Sequence, residues 1–345
     1  MAENILFLAF TEADGSLAKG ALEALAAAKK VGGTLTVGLI GAETQAAANS
    51  LAACGAAKFL AVTGAEFLQP RYATDAAAAE AICRAVQAAI VIIPASSRTA
   101  RMASGLAHRL NGRIDTHIMG ISAENGLTIT RWYYRQRMEA VLERKQRPWF
   151  MLLESGCAPA FKAEPGTANV EAVAVAVTDS LKRTRVTGVR APKSDAQTIR
   201  PDAPLLFVAG AGWTKKQADG QVHGQEAEQL ILGFLKRANA SLGGSKSLVD
   251  QSVEGQPVLQ FMTHLNQVGQ TGATPRHPKG LSTCCHGEEP HVVGWRFISE
   301  RRAVNLDPNC GWARGKADVL YVADAFAVMA KVNALLEEKA KAAGV

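Results

Sequence analysis

Leu205-Leu206-Phe207-Val208-Ala209-Gly210-Ala211-Gly212 reads as a buried strand that ends in a turn of small residues. Its run of apolar residues leaves no polar face for solvent, the pattern of a strand covered on both sides. Gly210 and Gly212 let backbone N–H groups approach a phosphate, because no Cβ stands in the way. Taken alone, such a turn is structural as readily as functional. Downstream, Ala227, Leu230, Ile231, Phe234, Leu235 and Ala238 recur at helical spacing and form one buried stripe. The last strand signal, Val319 to Ala323, is followed by Asp324, placed to cap a closing helix through about Ala342. Alternating strand and helix signals predict an α/β domain over residues 202–345.

The same alternation runs through the first half. Ile5 to Phe10 is a strand signal, and Leu17, Ala21, Ala24, Leu25 and Ala28 share one helical face before Gly32-Gly33 ends the helix. Leu35 to Ile40, Phe59 to Val62 and Ile90 to Ile93 are further apolar runs, the last preceded by an Ala-rich helix over Ala76 to Ala89. These predict a parallel sheet covered on both faces. From Leu127, Trp132, Tyr134, Val141 and Leu142 alternate with charged residues, predicting antiparallel edge strands. The expected organisation is an amino-terminal α/β domain over 1–181, a linker over 182–201, and the carboxyl-terminal domain. Lys182, Arg183, Arg185, Arg190, Lys193 and Arg200 make that linker basic, and it has no helical periodicity.

A chain of 345 residues suits two domains, and 48% hydrophobic residues with only 6% aromatics suits Ala-rich helices packed on sheets. No apolar run reaches the roughly 20 residues that span a bilayer, and no signal peptide precedes the first strand. A soluble, cytoplasmic protein without membrane insertion is expected. The net charge of +7 is spread along the chain outside the linker, which suits anionic cofactors or acidic protein partners and gives no nucleic-acid signature. Six cysteines without CxxC spacing are read as reduced thiols. Cys284-Cys285-His286 with His291 and Cys310 invites a metal reading, but adjacent cysteines chelate one tetrahedral ion poorly, and no metal is expected. There is no nucleophile triad and no GxxxxGK[ST] loop.

Gln267-Val268-Gly269-Gln270-Thr271-Gly272 frames an amide and a hydroxyl between two glycines, a tight loop that reads either as donors and acceptors for a ring edge or as a polar turn. This run resembles the signature loop of electron-transfer flavoprotein alpha subunits. At that family's spacing, its small-residue turn and His fall on Gly287 and His291, its Asn-Lys-Asp on Asn305-Leu306-Asp307, and its Ala-Asp on Ala317-Asp318. Gly244-Ser245-Lys246 resembles its Ala-Ser-Arg, and Ala209 to Gly212 its Gly-Gly-Arg-Gly. Ser97-Arg98-Thr99, opening a helix after the Ile90 strand, is similar to its amino-terminal domain.

The resemblance implies a flavodoxin-like, doubly wound carboxyl-terminal domain with FAD at the carboxyl ends of the strands. It implies that Thr271 bonds the flavin N5 and Gln270 the neighbouring carbonyl edge, that Gln267, Gly269 and Gly272 belong to the same loop, and that His291 lies by O2. Gly210, Gly212, Ser245 and Gly287 would serve the pyrophosphate, and Asn305 and Asp318 the AMP half. Lys246 stands where the family has an Arg and keeps the charge without the planar stacking group. Ala211 removes the loop Arg, and His286 replaces a Ser beside Glu288-Glu289. Further implications are a heterodimer with a beta subunit, a flavin-dependent dehydrogenase as donor and a quinone-linked or iron-sulfur acceptor. The protein would be an electron carrier rather than an enzyme. The alternatives are a flavin-poor paralogue that binds a nucleotide or acts structurally, and a hydrolase on the same fold. The hydrolase lacks a general base beside a ligand pair.

Overall fold

The computed structural model describes residues 3–133, 138–188, 199–200, 203–250, 259–268, 274–275, 277–283, 298–309 and 317–342. The chain divides into two compact units, 1–190 and 191–345.

In the first unit, β1 (Asn4–Phe10), α1 (Lys19–Val31), β2 (Thr34–Gly41), α2 (Gln45–Ser50), β3 (Lys58–Thr63), α3 (Tyr72–Ala85), β4 (Ile90–Pro94) and α4 (Ser97–Arg109) alternate. They are followed by β5 (Arg113–Ser122), β6 (Thr128–Tyr133), β7 (Met138–Leu142), β8 (Trp149–Leu153) and β9 (Val170–Ala172). Among the described residues these strands form one nine-stranded sheet in the order β7-β6-β5-β8-β4-β1-β2-β3-β9. Neighbours are parallel except β5 with β6 and β6 with β7. The antiparallel pairs lie at one edge, as the alternation from Leu127 predicts.

The uninterrupted apolar strands have a simple cause. In β1, Ile5, Phe7 and Ala9 face α1 and α2, while Leu6 and Leu8 face α3 and α4. Each side chain buried on either face contributes about 1.5–3 kcal/mol. The helix before β4 differs from its expected span. It begins a turn earlier, at Tyr72, and ends at Ala85, because Gln87 turns left-handed (φ 48°) to swing the chain into β4. The edge hairpin is tied to the sheet by Asp115, which accepts from Arg144 Nε (2.9 Å) and Trp149 Nε1 (2.9 Å). Burial works against that charge, but these bonds hold the carboxyl below its usual range.

The second unit contains β10 (Leu205–Ala209), α5 (Gly224–Ala238), β11 (Ser241–Gly244), α6 (Lys246–Asp250), β12 (His277–Thr283), β13 (Ile298–Asn305), β14 (Val319–Val322) and α7 (Ala325–Ala342). Its described strands are all parallel, in the order β11-β10-β12-β13-β14. Phe207 and Ala209 pack on α5 and α7 through Ile231, Phe234, Phe326 and Met329, while Leu206 and Val208 meet Val268 and Ile298 on the other face. Both units are α/β, one sheet mixed and one parallel.

Lys182, the first residue of the expected linker, closes a 3-10 turn (Asp179–Lys182) and lies 3.5 Å from Glu66 of the first unit. Positions 189–198 and 201–202, with Arg190 and Lys193 of the linker's cations, lie outside the described residues. Among the described residues no helix is long and apolar enough to cross a membrane.

Candidate cofactor-binding site

The strand order of the second sheet creates a specific place. From β10 the chain crosses to β11 on one side and later returns to β12 on the other. Where the winding reverses, the helices leave in opposite directions and a crevice opens outside the carboxyl ends of the strands. That rim is formed by Gly210 after β10, Ser245 after β11, Thr283 at the end of β12, Asn305 at the end of β13, and Asp324 after β14.

Gly210 N donates to Thr283 O (2.8 Å), closing the rim across the reversal point. The next four residues, Ala211–Thr214, form a buried 3-10 turn. Trp213 is fully buried, donates from Nε1 to Thr283 Oγ1 (2.9 Å) and lies 4.5 Å from the Phe326 ring. It therefore anchors the turn to β12 and α7. Ala211 is buried in the same cluster, so its position is part of the core. Lys215 and Lys216 follow, both exposed.

Ser245 is buried. Its N donates to Ala209 O (2.9 Å) and its Oγ accepts from Leu248 N (3.2 Å), which starts α6 and leaves the hydroxyl proton to donate elsewhere. Lys246 opens α6 on the exposed side, 3.8 Å from Asp250 Oδ2. Gln267 bridges to Gly244, and Val268 N donates to Gly244 O (3.0 Å). Small residues suit this close approach. A Cβ on Gly243 would stand 2.5 Å from Val268 Cγ2, and one on Gly244 would collide with Met262 Cε. The signature loop thus starts from the carboxyl end of β11. Gly269, Gln270, Thr271 and Gly272 lie outside the described residues, as do His286, Gly287 and His291 and the cysteines Cys284, Cys285 and Cys310.

Asn305 is buried at the rim. Its Nδ2 donates to Asp307 O (3.0 Å), and its backbone carbonyl accepts from Ala323 N (3.2 Å). Asp318 is placed elsewhere, at the amino end of β14. There it accepts from Arg301 N (2.6 Å) and from the Arg301 guanidinium (3.0 Å), which hold its carboxyl below the usual range. The register pairs Arg302 with Val319 and Asn305 with Val322, so the length of β14 separates Asp318 from the rim, about 10 Å at the usual rise. The structure gathers Gly210, Gly212, Ser245, Lys246, Gln267 and Asn305 around one rim and does not bring Asp318 to it.

The acid at that end is Asp324, whose Oδ1 accepts from Phe326 N (3.0 Å) at the start of α7. It lines a cavity of about 560 Å³ with Gln217, Asp219, His223, Leu306 and Phe326. His223 Nε2 lies 2.7 Å from Asp219 Oδ2, and its Nδ1 lies 3.3 Å from Glu226. A backbone N–H from Gln221, then His223, hold the Asp219 carboxyl below its usual range. Asp324 had a legible signal, an acid directly between strand and helix. Asp219 and His223 had none, because polar residues in a loop have no periodicity.

Residues 5–180 match the electron transfer flavoprotein domain family. Over 339 residues the chain is 27% identical to the electron transfer flavoprotein subunit alpha of Clostridium acetobutylicum, covering 94% of this chain and 92% of that protein. The chain belongs to the electron-transfer flavoprotein alpha-subunit family. Membership makes it part of a family of electron-transfer flavoproteins. The donor set fits a dinucleotide. A hydroxyl and exposed lysines stand on the β10–β11 side for phosphate, while Asn305, Asp324 and the cavity on the β13–α7 side suit the hydroxyls of a sugar.

Proposed function

We propose that this chain carries FAD on the rim of its second unit and works as the alpha subunit of a heterodimer with a beta subunit. It takes electrons from a flavin-dependent dehydrogenase and passes them to a quinone-linked or iron-sulfur acceptor, without substrate chemistry of its own, in the cytoplasm. The observation that supports this most is the meeting of Gly210, Ser245 and the start of the Gln267–Gly272 loop at one reversal point. FAD would supply reversible one- and two-electron chemistry.

The chain's own residues have separable tasks. Ser245 would donate a hydrogen bond from its hydroxyl to the pyrophosphate, with the exposed Lys215 and Lys216 as counter-charge. Lys246 places positive charge where a reduced flavin becomes anionic. Asn305 and Asp324 orient the AMP half, a task assigned here to Asp324 because Asp318 is held at the other end of its strand. Thr271, Gln270 and His291 are proposed for the N5, carbonyl and O2 positions, with Gly269, Gly272, His286 and Gly287 shaping the contacts around them.

Co-expression with the beta subunit and extraction of the cofactor test this reading. One FAD per heterodimer is expected, and loss of flavin is expected when the chain is expressed alone. An adenine nucleotide without flavin would favour the flavin-poor paralogue, to which the burial of Ala211 lends weight by leaving no cation inside the glycine turn.

A further inference from the structure

Resting on the FAD reading above, we propose that Gln217 is a positioning residue for the dinucleotide. It locks the glycine turn after β10 to the wall of the cavity beside Asp324, so that the phosphate and AMP positions keep one spacing. Its side-chain amide donates twice, from Nε2 to Gly212 O (3.0 Å) and from Nε2 to Lys215 O (2.7 Å). An amide nitrogen carries two protons, and each finds one carbonyl at the turn. Gln217 also lines the cavity of about 560 Å³, together with Asp219, His223, Leu306, Asp324 and Phe326. One residue therefore belongs to both parts of the proposed site.

The backbone around Gln217 holds it in place. Gln217 N donates to Gln221 O (2.8 Å) and Gly220 N to Gln217 O (2.9 Å), closing a hairpin over 217–221. Gly220 turns it at φ 77°, a left-handed conformation that favours glycine. Asp219 accepts from Gln221 N (2.9 Å), and its other oxygen lies 2.7 Å from His223 Nε2, on the residue before α5. The hairpin is thus tied to the start of α5 on one side and to the glycine turn on the other. From the inside, Trp213 fixes the same turn against Thr283 and the Phe326 ring. Phe326 also lines the cavity, so turn and cavity share a wall as well as a clamp. Lys215, exposed, leaves from a backbone whose carbonyl Gln217 holds. A ligand that spans both places binds more tightly when their spacing is set beforehand, because less freedom is lost on binding.

The test uses the heterodimer, stripped of flavin and titrated with FAD at pH 5 and pH 8, each variant compared with wild type at the same pH. Gln217→Ala removes both bonds and is expected to raise the FAD dissociation constant roughly tenfold at either pH. Gln217→Glu keeps the shape, but an ionised carboxylate has no proton to donate and faces two carbonyl oxygens. Its loss at pH 8 should exceed that of Gln217→Ala. Those carbonyls favour the neutral form of the new carboxyl, which donates again at pH 5, so the loss should shrink severalfold there. An unchanged FAD dissociation constant in Gln217→Ala overturns the proposal. So does a Gln217→Glu loss that is equal at the two pH values, the result expected if Gln217 only fills space. Gln217→Glu preserves the side chain's volume and decides the question even if Gln217→Ala fails to fold. A wild-type heterodimer that takes up no FAD overturns the function proposed above, and this inference with it. Normal FAD uptake by wild type and both variants overturns this inference alone.

Discussion

Each unit has its own winding reversal, between β1 and β4 in the first sheet and between β10 and β12 in the second. The two places are filled in opposite ways. In the first, Ser96 and Thr99 cap the start of α4 reciprocally, and Thr99 Oγ1 donates to Pro94 O (2.6 Å). The next side chain over, Arg98, lies 4.0 Å above the Phe10 ring, donates to both oxygens of the buried Asp75 (2.9 and 2.7 Å) and reaches Phe67 O (2.7 Å). The chain's own side chains pack over the carboxyl ends of these strands. In the second, the turn after β10 is small and tucked inward, lysines stand exposed beside it, and a cavity opens next to Asp324. A doubly wound topology offers a crevice; the loops decide whether protein or ligand fills it.

The strongest way to break this contrast is Arg98→Ala. Burial raises the Asp75 carboxyl above its ordinary value, with Arg98 working against it, so removing the partner leaves a buried acid uncompensated. A loss of about 3–5 kcal/mol in denaturant unfolding of the first unit is expected. A loss under about 1 kcal/mol would mean that Arg98 does not seal the crevice.

Gly243→Ala probes the open site. Its Cβ meets Val268, so a cost of about 1–3 kcal/mol is expected, together with reduced FAD content as the signature loop loses its seat on β11. Full flavin content would separate that loop from the cofactor. Thr271→Ala sharpens the same side: loss of one hydrogen bond at N5, about 1 kcal/mol, should lower the flavin potential by tens of millivolts at near-normal FAD content. An unchanged potential would place Thr271 away from the ring.

The smallest effect separates the two acids of β14. Asp318→Asn should cost no more than about 1 kcal/mol, because its pair with Arg301 is exposed, and should leave FAD content unchanged. The folded carboxyl is held below its ordinary value, so this stability is present above about pH 3.9 and disappears as pH falls through the folded value. Asp324→Asn should instead lower FAD affinity. The reverse pattern would restore Asp318 to the site and remove Asp324 from it.

Strand and helix identity were legible because burial on two faces leaves a plain record: Ile5 to Ala9 and Leu206 to Ala209 are apolar throughout, and Ala227, Ile231 and Phe234 recur at helical spacing. The family resemblance was legible in Gln267 to Gly272, a run of unusual residue types at fixed spacing, and the family match upholds it. Other features depend on where strands begin and end relative to one another, which no local pattern encodes. Asp318 and Asp324 are six positions apart and both flank an apolar strand, yet only the register of β13 with β14 sends one to Arg301 and the other to the rim. Likewise Ser97-Arg98-Thr99 reads as a helix start, while only folding brings Asp75 and Phe10 under Arg98. Local chemistry in the sequence determined the elements and the family. Tertiary structure decided which end of a strand each charge occupies, and therefore which crevice the chain's own side chains close and which, among the described residues, they do not.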